Sequence, residues 1–188
     1  VFLSLMLAAA WLALPKPPLL EGVDFSTRVR DRNGNVLRVT LTADQKYRIW
    51  TPLKEISPEL INATLRFEDK YYGKHPGVNP FAIARAVRSN VTKHRRVSGA
   101  STIPMQIARM AEPKSRTMFA KVVEAFRAIQ LTLHTTKREQ LEAYFNMAPY
   151  GGNVEGIGAA SRVYFGKEPS QLSIGEIAFL TTLPRQPN

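Results

Sequence analysis

From Ser57 onward one device recurs along this chain, and it directs most of the sequence into helices. Ser57-Pro58 pairs an N-cap hydroxyl with a proline at the first helical position, and Leu60, Ile61, Thr64 and Leu65 then share a face. Asn79-Pro80 repeats the arrangement ahead of Phe81, Ile83, Ala86 and Val87. Thr136-x-x-Glu139 and Ser173-x-x-Glu176 are capping boxes that open two further helices. The longest helix is expected from about Thr117 to His134, with Phe119, Val122, Val123, Phe126, Ile129 and Leu133 as its core stripe.

Before this helical stretch, Phe25–Arg30 and Val36–Thr42 alternate apolar and polar residues around Asp31-Arg32-Asn33-Gly34-Asn35. Asn-Gly accepts positive φ, so this reads as a β-hairpin. Val1–Leu14 carries no charge, and Lys16 is the first one met. A bilayer takes about 20 apolar residues, so the run reads as the C-terminal part of a truncated transmembrane helix, with Trp11 and Lys16 at the interface. Pro15, Pro17 and Pro18 follow as a stiff linker. A signal-peptide apolar region and a buried helix are the other readings of this run. The expected organisation is a membrane segment and Pro-rich linker over 1–20, a hairpin linker region over 21–50, and a mainly α-helical domain over 51–188.

The chain has no cysteine, which excludes disulfides, thiolate nucleophiles and Cys-ligated metals. Its formal net charge is +11, and between Arg85 and Arg138 stand twelve Lys or Arg against two acids, Glu112 and Glu124. Such a field attracts nucleic acid, anionic headgroups or phosphorylated substrates, and equally describes a solvated basic face.

Three short stretches carry chemistry. Glu68 and Asp69 are adjacent where the first helix runs out, so on a helix they point about 100° apart and cannot both face one substrate atom. One is a chemical candidate and the other a structural partner; a paired surface acid is the plain alternative. Gly99-Ala100-Ser101-Thr102-Ile103-Pro104 loosens the backbone and then opens a helix whose free N–H groups suit an anion, with Gln106 and Arg109 on a shared face. A well-capped helix explains the same residues. Lys121 and Glu124, just after Arg116, also share a face, as any i,i+3 surface ion pair does.

Together these stretches resemble the peptidoglycan glycosyltransferases (glycosyltransferase family 51). Glu68-Asp69-x-x-Tyr72-x-x-His75-x-Gly77, Gly99-x-Ser101-Thr102-Ile103-x-x-Gln106 and Lys121-x-x-Glu124 are similar to that family's first three motifs. Leu141-Glu142-Ala143-Tyr144-Phe145-Asn146, continuing through Tyr150-Gly151-Gly152-Asn153 to Tyr164-Phe165-Gly166-Lys167, resembles the fourth. Leu172-Ser173-x-x-Glu176 with Leu183-Pro184 resembles the fifth. Met105 and the stretch Arg109–Pro113 look most like the penicillin-binding protein 1C branch of the class A penicillin-binding proteins. One departure stands out: the family has Arg before the lysine of motif three, and here that position is Ala120, so one phosphate-facing cation is missing.

The resemblance implies a lysozyme-like helical domain that polymerises lipid II. The acceptor GlcNAc 4-hydroxyl attacks C1 of the donor MurNAc with inversion, and undecaprenyl pyrophosphate leaves. Glu68 falls on the general base. Arg109, Arg116 and Lys121 fall on contacts to the donor diphosphate, and Glu124 on the glutamate at the metal–diphosphate end. A divalent cation, Mg²⁺ or Mn²⁺, is the implied cofactor. Ser101, Thr102 and Gln106 shape the cleft, while Asp69, His75, Gly77, Gly99, Asn146 and Asn153 read as architectural. The implied partners are lipid II, the growing glycan strand, membrane lipids and cell-wall assembly proteins, with no nucleic acid, on the outer face of a bacterial cytoplasmic membrane. The family's longer members continue into a transpeptidase domain; this sequence holds neither Ser-x-x-Lys nor Lys-Thr-Gly, and is expected to be the glycosyltransferase portion of a longer protein.

Three competing readings remain. A lytic glycosidase would share the fold but has no use for clustered phosphate-binding cations. A basic domain that binds nucleic acid or membrane explains the charge but not five ordered motifs. A lipid II-binding domain with impaired catalysis is consistent with Ala120.

Overall fold

The computed structural model describes residues 18–34, 36–92, 101–113 and 117–185. Within them the chain is mainly helical. Two short strands, β1 (Arg28–Arg30) and β2 (Val36–Val39), precede β3 (Tyr47–Arg48). Helices α1 (Pro58–Glu68), α2 (Pro80–Thr92), α3 (Ile103–Ala111), α4 (Met118–His134) and α5 (Lys137–Met147) follow. Then come β4 (Val154–Glu155), α6 (Ile157–Phe165) and α7 (Ile174–Thr182), with 3₁₀ turns at 53–55, 72–74 and 183–185. The segment over 1–14 and residues Pro15, Lys16 and Pro17 lie outside the described residues. Among the described residues, no helix is long and apolar enough to cross a membrane.

The helix starts follow the sequence closely. The Ser57 hydroxyl accepts from Leu60 N–H at 3.2 Å, and Asn79 Oδ1 accepts from Ala82 N–H at 3.0 Å. Thr117 caps α4 by accepting from Ala120 N–H at 3.0 Å. At α5 the Glu139 carboxylate accepts from the Thr136 backbone N–H at 2.7 Å while the Thr136 hydroxyl accepts from Glu139 N–H. Each such cap stabilises its helix by about 1 kcal/mol, because it satisfies donors that have no partner within the helix.

The hairpin forms where expected but is shorter. Strands β1 and β2 pair antiparallel, with an irregularity between Val29 and Arg30, and Gly34 takes φ 86° in the turn. A second, two-stranded parallel pairing of β3 with β4 has no signal in the sequence. It joins residues more than a hundred positions apart and ties the segment before the helices to the loop after α5. Arg48 reinforces it, donating to Glu155 Oε2 at 2.7 Å and to both Asp44 oxygens.

The core sits where α3 meets α4 and α5 and where α1 meets α7. Leu60, Ile103, Ile107, Leu131, Tyr144, Phe145, Ile157 and Leu180 fill it. Here the expected core stripe of the long helix is corrected. Phe119 is 78% exposed, Val122 and Leu133 are also exposed, and Val123, Phe126 and Ile129 are only half-buried. The face that α4 buries carries Ala120, Ala128, Gln130 and Leu131. Two apolar stripes compete on this helix, and the one with small residues wins because it permits close approach. At Gly77, with φ 101°, an added Cβ would land on the Ala128 carbonyl.

Candidate active site

The two adjacent carboxylates of motif one have separated into different environments. Asp69 ends α1 as its C-cap and is buried. Its oxygens lie 2.9 and 3.0 Å from His75 Nε2, and Oδ2 also accepts from Ile103 N–H at 3.0 Å. Glu68, one residue earlier in the last turn of α1, is only half-buried and accepts from Gln106 Nε2 at 2.8 Å. Asp69 is therefore tied into the fold, while the Glu68 carboxylate keeps partial access to solvent. The alternative of a paired surface acid does not hold for Asp69.

Helix α3 holds both carboxylates. Its first N–H meets Asp69, its N-cap Thr102 accepts from Met105 N–H at 3.4 Å, and Gln106 reaches Glu68. The helix start that the sequence offers to an external anion is thus satisfied by Asp69, the chain's own carboxylate. The Thr102 hydroxyl also donates to the Gly77 carbonyl at 2.5 Å, which joins motifs one and two. Ser101 is half-buried beside it. Gln106 is buried whereas Arg109, three residues on, is exposed.

A second layer braces this corner, with little local signal for it in the sequence. Lys137 Nζ, at the start of α5, donates to the His75 carbonyl at 3.1 Å and lies 4.5 Å from the Tyr72 ring centre. Tyr72 donates to the Lys137 carbonyl at 2.8 Å, and burial followed by the Asp69 charge pushes its phenol up. His75 Nδ1 is buried with no hydrogen-bond partner among the described residues. A buried ring nitrogen left without a partner costs about 1–3 kcal/mol, whether it would donate or accept. Tyr150 is fully buried, and its phenol is pushed up first by burial and then by the Glu68 carboxylate. In the sequence Tyr150 stands out as an aromatic residue inside a run of turn formers and as part of the fourth motif.

Motif three lies on α4, which packs on α3. Lys121 and Glu124 form the ion pair expected from their spacing, with the Glu124 side chain 13% exposed. Ala120 is 5% exposed and faces the core. That position therefore offers no open surface on which a phosphate-facing guanidinium would sit. Arg116 and Gly99 lie outside the described residues.

Asn146 is buried at the end of α5. Its Oδ1 accepts from Thr51 N–H at 2.8 Å, and its Nδ2 donates to the Thr51 and Glu142 carbonyls. Asn153 contributes mainly through its backbone carbonyl, which accepts from Tyr47 N–H at 2.8 Å next to the β3–β4 pairing. Among the described residues no group of three or more His, Asp or Glu converges to hold a metal ion. Glu124, the expected participant through the diphosphate, is ion-paired with Lys121.

A family model described as transglycosylase matches residues 33–188. The chain is 42% identical over 185 residues to penicillin-binding protein 1C of Escherichia coli strain K12, covering 98% of the chain and 24% of that protein. It is 34% identical over 189 residues to penicillin-binding protein 2D of Bacillus subtilis strain 168, covering 100% of the chain and 26% of that protein. Against penicillin-binding protein 1A of E. coli K12 the figures are 39% over 146 residues, 77% and 17%. The chain thus spans about a quarter or less of the length of these relatives. With five motifs in order and the match running through all of them, the chain belongs to the transglycosylase family shared with the class A penicillin-binding proteins.

Proposed function

We propose that this chain is a peptidoglycan glycosyltransferase that polymerises lipid II into glycan strands by inverting transfer, with release of undecaprenyl pyrophosphate. The observation that carries the reading is the division of labour in motif one. Asp69 is buried and hydrogen-bonded, while Glu68 is half-buried and oriented by Gln106. A sugar hydroxyl loses its proton as it attacks, and a positioned carboxylate accelerates such a step by about 10²–10⁴-fold. Glu68 is the base in this reading. The leaving group is already a diphosphate, so the remaining need is for positive charge at its oxygens. Arg109, Arg116 and Lys121 supply it, with Glu124 orienting Lys121. A divalent cation, Mg²⁺ or Mn²⁺, enters only as a companion of the diphosphate, and no step here runs through it.

The finer organisation belongs to the same proposal. The helical domain over 51–188 is lysozyme-like, the hairpin region over 21–50 links it to the apolar segment over 1–20, and that segment is a single-pass anchor. The domain faces the outer side of the cytoplasmic membrane, where lipid II, the glycan strand and cell-wall assembly proteins meet it. Exposed Met118, Phe119 and Val122 on α4 support contact with membrane lipids.

The test is lipid II consumption and glycan-strand formation in detergent with Mg²⁺, wild type beside Glu68→Gln. Polymer from the wild type and none from the folded variant is the expected outcome. Polymer from both would remove Glu68 from the chemistry. A folded wild type that binds lipid II without polymerising it would favour the impaired-domain reading, and release of soluble sugars from preformed peptidoglycan would favour a lytic one.

A further inference from the structure

A second concentration of positive charge lies outside the basic central third of the sequence and outside the site around Glu68. A cleft of about 590 Å³ runs between the hairpin and α6. One wall is the whole of β2, Val36–Val39, with Arg30 beside it; the other is Ala159, Arg162 and Val163 of α6, with Lys167 and Glu168 beyond. Four cations thus face the cleft against one acid. Arg162 is held by Glu168 and Lys167 by Glu176, whereas exposed Arg30 and Arg38 form no ion pair among the described residues. Neighbouring Arg28 records the crowding: burial first, then the charges of Arg30 and Arg162, push its guanidinium below its ordinary value.

The wall matters as much as the charge. Among the described residues β2 pairs only with β1, in a sheet of two strands, so its other edge has no strand beside it. Unpaired strand edges hydrogen-bond extended backbone, and exposed apolar side chains along them favour alternating sequences. Leu37 and Val163 are both exposed at this cleft. A lone anionic headgroup uses the cations but leaves the strand edge without a partner; an extended acidic peptide uses both.

We infer that the cleft between β2 and α6 is a docking slot for an extended acidic segment of a partner protein, which adds as a strand along β2 with its carboxylates against Arg30 and Arg38. The test uses the full 188-residue chain in detergent and fluorescein-labelled (Glu-Val)₄, read by fluorescence anisotropy. Saturable binding is expected, weakened at least about tenfold by Arg38→Glu. The same loss is expected when alternate peptide amides are N-methylated, because this removes the donors a new strand needs and keeps every charge. (Lys-Val)₄ should not bind, and Arg38→Glu should keep its circular dichroism spectrum and its glycan synthesis. Equal binding by the methylated peptide would reduce the slot to a charged surface and overturn the inference. So would absence of peptide binding, whether phosphatidylglycerol vesicles are captured through the same arginines, making the patch a lipid contact, or nothing binds. In that last case Arg38 serves only to keep a strand edge from pairing.

Discussion

Two neighbouring carboxylates, Glu68 and Asp69, are told apart by what each one meets. Asp69 receives a backbone N–H and an imidazole; Glu68 accepts from the side-chain amide of Gln106. Removing that amide should disorient the proposed base without unfolding the helix it comes from. Gln106→Leu is expected to lower turnover about tenfold to a hundredfold while keeping a cooperative melt, measured by lipid II consumption beside thermal denaturation. A second residue-scale prediction concerns pH. Hydrogen bonds from Arg48 first, and then from Thr42, hold the Asp44 carboxyl down from 3.8 to about 2. A depressed carboxylate stabilises the fold above its unfolded value and loses that contribution as pH falls through its folded value. The window is therefore about pH 4 down to pH 2. Asp44 is half exposed, so solvent screening limits the effect to about 1 kcal/mol or less. Asp44→Asn should lower Tm slightly at pH 7, and the difference from wild type should close by pH 2.

At the scale of elements, α3 and α4 decide the site, and they do so through small residues. The approach of α4 to the Gly77 loop leaves no room for a side chain there, and the positive φ disfavours one regardless. Gly77→Ala should cost about 2–4 kcal/mol, read as a lower urea midpoint, and the Thr102 bond to the Gly77 carbonyl should go with it. Ala120 makes a related point. As a sequence departure it looks like a lost phosphate contact, but its burial makes it a packing residue. Ala120→Arg is accordingly expected to lower Tm by several degrees and to leave glycan synthesis no higher than wild type. A rise in activity at unchanged Tm would restore the lost-contact reading.

Across the whole molecule, the side chains that α4 turns outward bear on where the domain sits. Met118 and Phe119 are both more than three-quarters exposed, beside a strongly basic sequence. The paired change Met118→Ser and Phe119→Ser should reduce co-sedimentation with phosphatidylglycerol vesicles several-fold and leave thermal stability almost unchanged. The sequence by itself determined most of the secondary structure. Caps, proline positions and the Asn-Gly turn are local signals, read over a few residues, and α1, α2, α4, α5 and the hairpin start or turn where those signals lie. It also determined the candidate residues, because five motifs in order name them. Tertiary structure alone decided which of Glu68 and Asp69 is buried, which stripe of α4 faces the core, and that β3 pairs with β4. None of these is a local property. Each depends on groups brought together from distant parts of the chain: Ile103 against Asp69, the Gly77 loop against Ala128, and Tyr47 beside Val154. Periodicity can offer two faces of a helix, but the space left by the neighbouring element chooses between them.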